Sequence, residues 1–312
     1  MNKEFEKICR MSQKSLKNYV EKRLHATHNE ITVGDGFVYA QGNFPVLLVA
    51  HMDTVHDKLP NMIVYDKNQD IVSSPQGIGG DDRCGVYMIF KIIKKFNCSV
   101  LFTEDEEVGG IGADKFTKTK LATELDFNYI MEFDRANAND AVFYSCGNDD
   151  FEDFITKEFY KTAYGTYSDI CDIAPAIGCA AVNLSCGYYK AHTKDEYVVL
   201  SEMEKSINAA CNILARTTQD DKFEYVEMWS RYSKYVNASG WSGNGWDDYD
   251  YYYDPQKYYL IQYVNAYGVD AWYDTFARSK AEAVGHFVMD NPKVSYENIL
   301  DVCVDENVSE YI

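Results

Sequence analysis

The chain has 312 residues, of which 46% are hydrophobic, 15% aromatic and 25% charged. That composition supports one large core, with or without an appended domain, and excludes a disordered chain. Thirty basic residues against 49 acidic ones give a formal net charge of −19, a field that repels phosphate backbones, so no nucleic-acid partner is expected.

From the N-terminus, residues 1–16 (MNKEFEKICRMSQKSL) lack the apolar run of a signal peptide and read as an amphipathic helix. No apolar run anywhere approaches the roughly 20 residues of a membrane helix, so no membrane partner is expected. The nine cysteines form no CxxC pair and read as reduced thiols, which points to the cytoplasm. Residues 45–50 (PVLLVA) are continuous and apolar, as in a strand buried on both faces, and residues 99–103, 129–133 and 179–185 repeat the pattern. Between them Val86, Ile89, Phe90, Ile93 and Phe96 recur at helical spacing after a glycine-rich turn, and residues 200–215 are again helical. The expected fold is α/β, with a largely parallel mixed sheet sandwiched between helices. Ligands of such sheets sit outside the carboxyl ends of the strands.

Composition shifts at about residue 218. All four tryptophans and more than half of the 26 tyrosines lie beyond it. Residues 239–254 read as a loop or linker. Val269, Trp272, Phe276, Val284, Phe287 and Val288 fall on one helical face, and Ser295 is a candidate cap for a last helix carrying Ile299 and Cys303. The expected division is therefore a domain over 1–218 and a mainly helical, aromatic-rich extension over 219–312, the latter a candidate oligomer contact.

Chemistry-bearing residues gather at the predicted strand ends. The first strand runs into His51 and Asp53, and a GIGG turn leads into Asp81 and Asp82. Residues 99–103 lead into Glu104, Asp105, Glu106 and Glu107, then Gly109 and Gly110. Residues 129–133 end at Asp134, and the last strand leads to His192. A solvated acidic turn and a satisfied strand-end histidine are the plain alternatives. Clustered carboxylates, however, raise one another's pKa unless a cation neutralises them. Imidazole with carboxylate suits zinc, and also manganese or cobalt. Two ions about 3.5–4 Å apart would polarise a carbonyl and ionise a water, and a glutamate left free of metal would carry the proton.

Five segments in order resemble the motifs of the dinuclear zinc exopeptidase superfamily, which includes peptidase T, glutamate carboxypeptidases, aminoacylases and single-domain zinc aminopeptidases. They are His51-Met52-Asp53, Gly80-Asp81-Asp82-Arg83-Cys84-Gly85, Glu106-Glu107-Val108-Gly109 with Gly112-Ala113, Glu132-Phe133-Asp134, and Ala191-His192-Thr193-Lys194-Asp195-Glu196-Tyr197-Val198. The resemblance spans about residues 45–215. It implies two zinc ions, with Asp81 bridging, His51 and Asp134 completing one site, and Glu107 and His192 the other. It also implies Glu106 as general base and Asp53 as the residue that orients His51. Arg83 stands where relatives often have lysine and is expected to pair with nearby carboxylates. Ser168-Asp169 resembles a segment seen near the site in relatives. Cys84 and Cys186 read as buried thiols, and His25, His28, His56 and His286 have no partner pattern.

The function expected is hydrolysis of a peptide bond near a chain end. An N-acyl amino-acid deacylase and a dipeptidase or carboxypeptidase use the same chemistry, and a catalytically inactive binding protein is the alternative from another class. Lidded relatives carry an inserted domain between the aspartate ligand and the last histidine. Here only 58 positions separate Asp134 from His192, too few for one. Without a lid to hold a carboxylate, and with an acidic field, a free amine is the better handle. That favours an aminopeptidase, with Asp105, Asp149 and Asp150 as candidate amine contacts.

Overall fold

The structure, a computed structural model, describes residues 3–226 except 145 and 166, then 257–265, 268–277, 298–304 and scattered positions between 283 and 294. In chain order the elements are α1 (Lys3–Cys9), α2 (Gln13–Leu24), β1 (Glu30–Gly34), β2 (Phe37–Gln41), β3 (Phe44–His51), β4 (Val64–Asp66), β5 (Ile71–Ser73), α3 (Gly80–Ile92) and β6 (Cys98–Thr103). Next come α4 (Ile111–Thr117), α5 (Lys120–Glu124), β7 (Tyr129–Arg135), β8 (Asp140–Val142), α6 (Asp149–Thr156), β9 (Lys161–Ala163), α7 (Ile170–Ile177), β10 (Ala181–Ser185), β11 (Tyr188–Tyr189), β12 (Tyr197–Val199) and α8 (Leu200–Arg216). The tail contributes β13 (Lys257–Val264), β14 (Asp270–Ala277) and β15 (Ile299–Val304).

An eight-stranded sheet in the order β1-β2-β6-β3-β7-β10-β8-β9 forms the centre. Its middle, β6-β3-β7-β10, is parallel, and β2 and β8 join it antiparallel on either side. Alternation within β3 explains the two layers. Val46, Leu48 and Ala50 pack into the core that includes Phe5, Leu16, Ile89 and Met203 from α1, α2, α3 and α8. Leu47 and Val49 point the other way, into a core with Ala113, Phe116, Ala122 and Ile173 from α4, α5 and α7. Burying both faces is what a continuous apolar strand requires, and the sandwich expected from the sequence is the one found. A smaller antiparallel sheet, β11-β12-β5-β4, brings the segments around Gly80 and His192 into register, with Val198 opposite Val72.

Residues between Asp134 and His192 are occupied by β8, α6, β9, α7, β10 and β11. No inserted lid is present among the described residues of this stretch.

The described residues form two compact units, one reaching through residue 226 and the other containing the strands from 257 onward. Residues 219–226 therefore lie with the first unit rather than beyond a break at 218. Phe223 exchanges backbone hydrogen bonds with Asn128 and Ala180, and its ring lies 5.1 Å from those of Phe151 and Phe154.

Among the described residues the tail holds three strands where helices were expected, and helical backbone at residues 283, 284 and 287. β14-β13-β15 is an antiparallel sheet whose Tyr259 and Ile261 are buried against Ala283 and Phe287. Of the expected helical face, Trp272 and Phe276 lie in β14 and Val269 just before it, with Val269 and Trp272 each 58% exposed, whereas Val284 and Phe287 are helical and belong to the buried cluster of Tyr259 and Ile261. Ile299 and Cys303 are four residues apart, a spacing that puts side chains on one face of a strand as well as of a helix. The linker reading of 239–254, the cap at Ser295, and Val288 lie outside the described residues.

Candidate metal centre

Four parallel strands end at one edge, and the segments just beyond those ends build the site. His51 is the last residue of β3 and pairs in register with Thr103, the last of β6. Asp53, two residues on, joins the strand ends: its carboxylate accepts from His51 Nδ1 at 3.1 Å and from the backbone N–H groups of Glu106 at 3.1 Å and Glu107 at 3.0 Å. The imidazole is thereby turned so that Nε2 faces the acidic cluster.

Asp81 arrives from the opposite side. Gly79 caps α3 with φ +65°, a left-handed conformation that favours glycine. Asp81 and Asp82, joined by a cis peptide, keep non-helical angles before the helix proper begins. Gly85 lets the helix approach β7, since a Cβ there would lie 1.9 Å from the Phe133 carbonyl oxygen. The buried Glu196 carboxylate holds the turn by accepting from the N–H groups of Gly79 at 2.8 Å and Asp81 at 2.9 Å, and it pairs with His56 at 2.8 Å.

Two triads result, and they share Asp81. Its Oδ1 lies 3.1 Å from His51 Nε2, which is also 3.3 Å from Asp134 Oδ1. Its Oδ2 lies 3.2 Å from His192 Nε2, which is 3.0 Å from Glu107 Oε2. The donor atoms of each triad lie within 4.8 Å of one another. Ligands held tetrahedrally at about 2.0–2.1 Å from a zinc ion stand about 3.3 Å apart, so the measured separations suit a shared ion in each triad. Glu107 Oε1 is buried without a hydrogen-bond partner, another sign that the donor set fits a cation. His192 holds its position with φ +63°, uncommon for a non-glycine residue and typical of functional sites.

The electrostatics agree. Burial, then the Asp81 charge, pushes Asp134 up to about 7. Burial likewise takes Asp169 to about 6, and Glu132 and Asp82 well above the carboxylate range. Asp81 goes the other way: burial would raise it, but hydrogen bonds from His192 and His51 hold it low, and Asp53 is likewise held low against burial by His51 and the Glu106 and Glu107 N–H groups. His192 in turn is raised to about 10 by Asp81 and Glu107. The site thus holds more buried carboxylate than its imidazoles can neutralise, the condition that a cation relieves.

Glu106 belongs to neither triad. Half-buried, it is pushed up to about 8 by burial, opposed by His51 and reinforced by Asp134, Asp169 and Glu107. Its neighbours Glu104 and Asp105 face α2 instead, Glu104 paired with Lys17 at 2.6 Å and Asp105 accepting from Gln13 at 2.9 Å. Asp105 is therefore committed to a structural contact, and Asp149 and Asp150 open the exposed first turn of α6. None of the three expected amine contacts is in the triads. Arg83 is 1% exposed, yet its Nε and Nη1 have no hydrogen-bond partner, so the expected pairing with carboxylates is not made through those atoms.

Two supports, Asn183 and Thr103, have no role in the sequence reading, and the Ser168-Asp169 segment stands near the site as its resemblance implies. Asn183 accepts from the Asp134 N–H at 2.9 Å and donates to its carbonyl at 3.1 Å, fixing that backbone from β10. Behind it, Ser168 donates to Glu132 and Thr103 donates to Asp169. His56 has a partner after all, in Glu196 of the closing motif. Cys84 and Cys186 are buried, as expected.

No family model matches the chain, and no curated protein matches it in sequence. Solved structures do. The aminopeptidase PepT of Bacillus cereus matches with a TM-score of 0.54 at 13% identity, covering 68% of this chain and 96% of that one. A tripeptidase of Staphylococcus aureus matches at 0.57 and 12%, covering 68% and 97%. The Pyrococcus horikoshii TET1 peptidase, which assembles into a tetrahedron or an octahedral shell, matches at 0.51 and 16%, covering 68% and 97%. The chain has the fold of these peptidases, the one its five motifs lead one to expect.

Proposed function

We propose that this chain is a metal-dependent aminopeptidase, and the observation that carries the reading is the sharing of Asp81 by two triads. His51, Asp81 and Asp134 would hold one zinc-class ion, and Asp81, Glu107 and His192 the other. When bound, such ions polarise the scissile carbonyl and acidify a water. Glu106, outside both triads, takes a proton from the attacking water at its carboxylate and returns it to the leaving amine. Burial and the neighbouring Asp134, Asp169 and Glu107 raise its affinity for a proton, and the two cations would oppose that shift and keep it ionised as a base. Asp53 keeps His51 Nδ1 occupied, so Nε2 remains the donor.

Amine-end reading is supported by the acidic field, by the absence of an inserted lid among the described residues, and by structural neighbours named as aminopeptidases. None of the nine cysteines is in a disulfide, and no described helix is long and apolar enough to cross a membrane, which suits a cytoplasmic enzyme. Assembly through the tail, as a separate domain, completes the proposal. Metal analysis should find two zinc-class ions per chain. An assay of paired peptides should show cleavage when the C-terminus is amidated and none when the N-terminus is acetylated. Chain-end preference in the opposite sense would mean that the carboxylate is read, and purified protein binding no divalent metal would overturn the proposal.

A further inference from the structure

Glu196 follows His192 in the closing motif and is fully buried, yet it reaches into the turn before α3. Its Oε1 accepts from the Asp81 N–H at 2.9 Å, and its Oε2 from the Gly79 N–H at 2.8 Å and from His56 Nε2 at 2.8 Å. Because the carboxylate accepts in each of these bonds, the imidazole carries its proton on Nε2. Among the described residues, His56 is the only side chain bonded to Glu196. The Glu196 N–H in turn donates to the Thr193 carbonyl at 3.2 Å, closing the turn that carries His192.

His56 itself lies on the segment that leaves β3 after His51. Its ring rests on Gly77, where a Cβ would fall 2.2 Å from Cε1, and Gly77 has φ +86°. Glycine is what lets the imidazole approach the turn. One half-buried side chain thus links the segments that follow His51, precede Asp81 and follow His192.

We propose that His56 is a positioning residue for the shared aspartate. Its Nε2–H fixes the Glu196 carboxylate, and Glu196 sets the backbone from which Asp81 projects. A shift of that backbone moves Oδ1 and Oδ2 together, and each belongs to a different triad. Loss of the His56 donor therefore weakens both metal sites, whereas a defect at Glu107 weakens one. The effect on metal rests on the peptidase reading, while the hydrogen-bond path from His56 to Asp81 does not.

Three full-length proteins test this: wild type, His56→Leu, which keeps bulk and removes the donor, and His56→Gln, whose amide nitrogen stands near the position of Nε2. Each is titrated with zinc against a chromophoric chelator, and amide hydrogen exchange is read across residues 77–83. His56→Leu should bind both ions at least ~10-fold more weakly and exchange the Gly79 and Asp81 amides at least ~10-fold faster. His56→Gln should restore both, which a purely space-filling role would not require. If His56→Leu does not fold, His56→Asn, whose shorter amide falls short of Glu196, takes its place with the same expected outcome. Exchange equal to wild type in the donor-less variant, or His56→Gln no better than it, overturns the positioning role. Weakening of one site alone overturns the route through Asp81. Wild-type protein that binds no zinc overturns the peptidase reading instead, and the exchange comparison still decides the role of His56.

Discussion

At the scale of single residues, adjacent glutamates meet different partners because one backbone step turns their side chains apart, and the proposed roles follow from that. Glu107 meets His192, while Glu106 meets no member of its triad. Glu106→Gln is therefore expected to cut turnover at least ~10²-fold with metal content unchanged, since only the proton carrier is lost. Glu107→Gln should release one ion. Metal analysis beside steady-state kinetics checks both, and metal loss in the Glu106 variant alone would reverse the pair. Glu196 acts through backbone. Removing its carboxylate in Glu196→Ala leaves the buried N–H groups of Gly79 and Asp81 unpaired, at about 3 kcal/mol or more. Denaturant titration should record that loss, and competition with a chelator should record metal binding about 10–100-fold weaker.

At the scale of elements, the site depends on α3 lying close to β7. Gly85→Ala would force a Cβ to within 1.9 Å of the Phe133 carbonyl and 2.4 Å of Asp82 Oδ2. The helix must then retreat, at about 1–3 kcal/mol as judged by urea unfolding, taking Asp81 with it. Activity should fall further than stability alone explains. α2 plays a comparable part from outside: its Lys17 and Gln13 hold Glu104 and Asp105, so the acidic turn presents Glu106 and Glu107 inward. An expanse of four acidic residues reads in sequence as one charged turn, and the partners that split it come from more than 80 residues away.

For the whole molecule, resident ions should stabilise the fold because they bind the native chain and not the unfolded one. At a free concentration a hundredfold above Kd, each site adds about 2.7 kcal/mol. Chelation is then expected to lower Tm by roughly 5–10 °C per site for a domain of this size. Calorimetry with and without chelator tests it, and an unchanged Tm would argue against bound metal. The first unit carries its own two-faced core and reaches Phe223. A chain ending after residue 226 should fold and retain metal, whereas one ending at 218 should lose the packing of Phe223 and unfold more readily.

Apolar runs long enough to be buried on both faces determined the central sheet from sequence alone, because only a sandwiched parallel sheet hides such strands. The same runs pointed to His51, Asp134 and His192, and the GIGG turn to Asp81, since chemistry placed at strand ends and turns stays in order along the chain. In the tail, a roughly helical spacing of aromatic and aliphatic residues pointed to helices. A four-residue spacing shares a face in both, and the pairing of β13 with β14 and β15 settled the described part. Tertiary structure alone decided which acidic groups converge and what holds them. Those contacts join segments 20 to more than 100 residues apart, and hydrogen bonds between distant side chains leave no periodicity to read.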